Sequence, residues 1–89
     1  MKKLFMDIQI GTLMHTVNCL EGGQVYELVR IPIDNIPETL AYYAHDKNIT
    51  DIVLYGNKAF LSNIKNKILD KSQKEYGASE LNIEIKEKD

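Results

Sequence analysis

Two short stretches of this 89-residue chain combine residue types able to hold a ligand. The first, Asp7-Ile8-Gln9-Ile10-Gly11-Thr12, sets a carboxylate and an amide ahead of a glycine turn. The second, Gly56-Asn57-Lys58, opens a long segment of helical period. A helix start presents unpaired backbone N–H groups and the positive end of a dipole, so phosphate or carboxylate can sit there. Gly56 permits close approach, Asn57 can cap the helix and Lys58 adds charge. The same three residues also serve architecture alone, because a strand-to-helix corner needs a turn residue and an N-cap. Gln9, Gly11, Gly56, Asn57 and Lys58 form the candidate ligand-binding set, with a small phosphate-bearing molecule as the ligand they would suit.

Other chemistry finds little support. His15, His45 and the lone Cys19 lack metal-ligand spacing, and no serine or cysteine stands in a nucleophile elbow. No catalytic residue, metal ligand or cofactor is therefore assigned. One cysteine cannot close an internal disulfide, which fits a reducing compartment; on a strand it reads as a small buried apolar residue. Lys58, Lys65, Lys67, Lys71 and Lys74 make the second helical segment locally basic, but they spread over a broad arc without interleaved aromatic residues. With a net charge of -2 the chain has no overall attraction to nucleic acid or anionic lipid, and neither is expected as a partner. No apolar run approaches a membrane span, and Asp7 and Gln9 interrupt the signal-like start Met1-Lys2-Lys3-Leu4-Phe5-Met6. The expected location is the cytoplasm.

The elements that must position these residues follow from period. Leu4, Met6, Ile8 and Ile10 alternate with Phe5, Asp7 and Gln9, a first strand over residues 4–10. Leu13 to Leu20 is a second strand with both faces mixed, leaving its inward face open. Gly22-Gly23 suits a tight reversal into a third strand, Val25 to Ile33, where Val25, Glu27, Val29, Ile31 and Ile33 oppose Tyr26, Leu28 and Arg30. Pro32 places that strand at a sheet edge or ends it. Pro37 and Glu38 open a helix to about Lys47, with Leu40, Tyr43 and Ala44 on one face and Asn48 as a left-handed C-cap. Tyr42 and Tyr43 are adjacent, so at most one faces the core.

Ile52, Val53 and Leu54 are apolar on consecutive positions, as in a strand covered on both faces. Phe60, Ile64 and Ile68 recur at four-residue spacing with Leu61 and Leu69 beside them, which predicts a helix from Lys58 to Tyr76 ended by Gly77. Leu81, Ile83 and Ile85 alternate with Asn82, Glu84 and Lys86 in a last, half-buried strand, whose charged end Lys86-Glu87-Lys88-Asp89 suits a protected edge.

The expected architecture is one α/β domain over residues 1–89. Its order is β-β-β-α-β-α-β in a single five-stranded mixed sheet, strands 3-2-1-4-5, with only strand two antiparallel. This order resembles the ribonuclease H-like fold of nucleases, recombinases and actin-like kinases. The resemblance implies a crevice between the carboxyl ends of strands one and four, and equates Asp7 with the family's strand-one aspartate. The expected acid at the end of strand four is replaced by Asn57, and Asp51 stands at the wrong end of that strand. A metal-dependent nuclease would thus rest on one carboxylate, where divalent ions want several. The actin-like Asp-x-Gly-Thr phosphate loop is matched only with two extra positions, Asp7-Ile8-Gln9-Ile10-Gly11-Thr12. The lysine- and asparagine-rich composition with its Leu54-Tyr55-Gly56-Asn57-Lys58 corner also looks like small proteins of bacterial viruses. A complete fold with an incomplete acidic site leads to a non-catalytic binding module, working through a protein partner or self-association at edge strands three and five. A small-anion or nucleotide binder is the alternative.

Overall fold

In the computed structural model, which describes residues 1–78 and 80–88, the strands are β1 (Lys2–Ile8), β2 (Met14–Glu21), β3 (Gln24–Pro32), β4 (Asp51–Gly56) and β5 (Asn82–Glu87). The helices are α1 (Ile36–Asp46), entered through a 3-10 turn at Ile33–Asn35, and α2 (Lys58–Tyr76). The sheet order is β3-β2-β1-β4-β5. β1 pairs antiparallel with β2 and parallel with β4, β2 pairs antiparallel with β3, and β4 pairs parallel with β5. β2 alone runs against the others, the arrangement expected of a three-stranded meander feeding two right-handed crossovers. The arrangement is compatible with a ribonuclease H-like one.

Both helices lie on one face. Leu4, Met6 and Ile8 of β1, Val17 and Cys19 of β2, Ile52 and Leu54 of β4 and Ile83 of β5 share one buried cluster with Ile36, Leu40 and Ala44 of α1 and Leu61, Ile64 and Ile68 of α2. The undecided inward face of β2 is therefore His15, Val17 and Cys19, and Cys19 is a free, buried thiol. Tyr43 packs against the core while Tyr42 is exposed. The other sheet face has no covering element among the described residues. Val53 lies on that face, yet it is 6% exposed. It sits in register between Phe5 and Glu84, so lateral neighbours shield it rather than a second layer. The expectation that β4 is covered on both faces is corrected accordingly.

Several strand boundaries also differ. β1 stops at Ile8, because its partner β4 ends at Gly56 in register with Ile8; Ile10 is 65% exposed and belongs to the turn. Leu13 precedes β2 and is exposed, and Ile33 falls in the 3-10 turn. In β3 the register slips opposite Val17 and Asn18, which pair with Val29 and Glu27 and leave Leu28 as an extra residue. This bulge lets Leu28 and Val29 both pack against the core, although strict alternation sets Leu28 on the face opposite Val29. Helix ends match their chemistry better. Asn48 takes a left-handed φ of 55°, and Gly77 ends α2 at φ 64° with its N–H donated to Gln73 O at 3.0 Å. No helix among the described residues is long and apolar enough to cross a membrane. Asp89, part of the charged end of the last strand, lies outside the described residues.

Candidate functional site

The parallel β1–β4 pairing brings two strand exits side by side, and the hollow between them has a volume of about 360 Å³. Asp7, Gln9, Gly56, Asn57, Glu87 and Lys88 line it. Its floor is backbone. A Cβ built on Gly56, at φ 150°, would stand 2.4 Å from the carbonyl oxygen of Ile8. Only a residue without a side chain lets β4 leave the sheet this close to β1.

Asn57 follows with extended backbone and caps α2, its Oδ1 accepting the N–H of Phe60 at 2.9 Å. Asn57→Ala should cost about 1 kcal/mol, read as a lower urea midpoint with an unchanged slope. A midpoint equal to wild type would mean that water replaces the cap without loss. Lys58, the first helical residue, is exposed and does not line the hollow. Gly11 lies in the turn after β1, where Thr12 N–H donates to Gln9 O at 3.3 Å. Its φ of 92° is that of the third residue of a type II turn. The turn carries Gly11 outside the hollow. Of the five candidate residues, Gln9, Gly56 and Asn57 meet in one place.

The rim contains residues that composition and period did not point to. β5 runs parallel to β4 with Glu87 in register with Gly56, and Lys88 N–H continues the ladder onto Gly56 O at 3.0 Å. Lys88 thereby reaches across β4 to form an ion pair with Asp7. The pairing pattern 4-5 was legible; the exact exit of β5 beside Gly56 was not. Two carboxylates, Asp7 and Glu87, face one lysine, so the rim holds a net negative charge. A phosphate would gain from the α2 N-terminus but meet no net Coulombic attraction. The Asp7 carboxylate already has its counter-ion, and no group of three His, Cys, Asp or Glu among the described residues is placed to hold a metal ion.

No protein-family model matches the chain, and no curated protein matches it. Function has to come from the geometry.

Beneath the turn, His15 is buried at 5% exposure, with Nε2 placed 3.2 Å from both the N–H and the carbonyl of Gln9. One tautomer accepts from Gln9 N–H, the other donates to Gln9 O. Either leaves Nδ1 buried without a partner, so His15 holds the turn at the expense of one unmatched ring nitrogen. It does not line the hollow.

At the opposite end of the sheet a second hollow of about 330 Å³ lies where both helices end, lined by Ala44, His45, Asn48, Ser72, Gly77 and Leu81 among others. The exposed ring of His45 stacks there on Tyr76 at 4.3 Å and 12°. Partial desolvation raises the pKa of the half-buried Tyr76 phenol above its ordinary value, and Glu75, Tyr42 and Glu38 push in the same direction.

Proposed function

We propose that this chain is a non-catalytic interaction module of ribonuclease H-like topology that works in the cytoplasm through a protein partner or by self-association along an exposed strand edge. The observation that supports it is the outer row of β5. Asn82 N–H donates to Thr50 O at 2.8 Å and Lys88 N–H to Gly56 O at 3.0 Å, so these even-numbered positions turn toward β4. Alternation then turns the backbone groups of Ile83, Ile85 and Glu87 outward, where no strand lies among the described residues. Such a row is a template for strand addition.

The rim chemistry supports the same reading. A carboxylate bridged to lysine and a helix-capping amide are occupied with structure, which leaves little free for a reaction. The decisive comparison is wild type against Glu87→Pro, which removes an outward donor without breaking a bond to β4. Wild type should associate in sedimentation, or retain a partner from cell extract, in a way that the variant does not. A strictly monomeric wild type retaining nothing beyond what Glu87→Pro retains would sink the proposal.

A further inference from the structure

We infer that β5 is a homodimerisation strand: two copies pair β5 antiparallel about a two-fold axis through Ile85, joining their sheets into one. The inference rests on the interaction-module reading and names the partner as a second copy of this chain. Backbone direction comes first. With Ile83, Ile85 and Glu87 turned outward, an axis at Ile85 sets Ile85 against its own copy and Ile83 against Glu87 of the second copy, all at hydrogen-bonding positions.

Side chains then select this register over its neighbours. Glu84 and Lys86 fall at the non-hydrogen-bonded positions between, each opposite the other's copy, where paired Cα atoms approach to about 4.5 Å. Both are exposed on the uncovered sheet face, and among the described residues neither has an ion-pair partner within the monomer. Moving the axis to Glu84 or to Lys86 would instead set like charges directly opposite, which destabilises pairing. The alternation that repels an unrelated apolar strand is thus self-complementary in one arrangement. Ile85, half-buried against the helix layer, meets its copy at the axis and completes its burial.

The other edge is built differently. β3 carries the Leu28 bulge, which breaks even spacing, and ends in Pro32, which has no N–H to donate. A six-residue strand contact is small, so the dimer is expected to be reversible and concentration-dependent.

Charge exchange tests it. Glu84→Lys and Lys86→Glu each replace two attractive cross-strand pairs by two repulsive ones, and each should raise the dimer dissociation constant by about tenfold or more in sedimentation equilibrium. A 1:1 mixture of the two variants opposes lysines to glutamates again and should restore association as a heterodimer. In hydrogen exchange of wild type, the amides of Ile83, Ile85 and Glu87 should gain protection as concentration rises. Wild type that stays monomeric at millimolar concentration, single variants that dimerise like wild type, or a mixture that fails to associate would each overturn the inference. Protection rising on β3 instead, or a different protein engaging the β5 amides of a monomer, would overturn this dimer while leaving the interaction-module reading standing.

Discussion

Gly56→Ala is expected to be the most damaging single substitution at the sheet's carboxyl end, lowering stability by about 2 to 6 kcal/mol. Overpacking a close contact costs about 1 to 3 kcal/mol. Forcing an L side chain into the φ of 150° found there adds about 1 to 3 kcal/mol more. A chain of this length has about 4 to 13 kcal/mol in total, so the variant should show a much reduced urea midpoint or fail to fold. The clash is with the Ile8 carbonyl at 2.4 Å, whereas the Leu61 side chain lies at an ordinary 3.4 Å. Shortening Leu61 should therefore not rescue Gly56→Ala, and the penalty of the glycine substitution should persist in a Leu61→Ala background. A wild-type midpoint for Gly56→Ala, or relief by Leu61→Ala, would show that the floor of the hollow is not set by backbone contact.

Leu54→Ala comes next, with an expected loss of about 2 to 5 kcal/mol. Leu54 is 0% exposed in a strand flanked on both sides, beneath the helix layer, where little can collapse into the vacated space. Leu13→Ala removes the same atoms from a residue that is 82% exposed, and should change stability by less than about 0.5 kcal/mol. Chemical denaturation of the pair compares one chemistry at two depths. Equal effects would contradict the difference in burial between the two residues.

The sheet was legible because its signals agree. Alternation gave β1, β3 and β5, the glycine turns bounded β2, and the apolar run Ile52-Val53-Leu54 gave β4. The change of period at Pro37 and at Lys58 gave each helix, and chain order with parallel crossovers left few arrangements. What escaped depends on partners rather than on residue type. Ile10 continues the alternation of Leu4, Met6 and Ile8, but hydrophobicity does not report where the neighbouring strand ends. Leu28 sits in a bulge that no turn residue announces. Val53 imitates a strand covered on both faces because Phe5 and Glu84 flank it in register. At the hollow, Gly56 and Asn57 carried local signals, a strand-end glycine and a cap, and the structure gives both those roles. Glu87 and Lys88 carried none, since a charged strand end looks the same beside a cleft as in open solvent.

The β1–β4 pairing has a consequence for what can be cut away. Leu4 meets Ile52 across a separation of 48 residues, the difference of their numbers, whereas Glu21 meets Gln24 across three. Closing the longer loop costs about 2.5 kcal/mol more chain entropy by the logarithmic rule. The ground that Ile8 and Gly56 share is therefore won by tertiary cooperation and not by any local motif. A peptide carrying the Leu54-to-Lys58 corner alone would keep its letters and lose its shape.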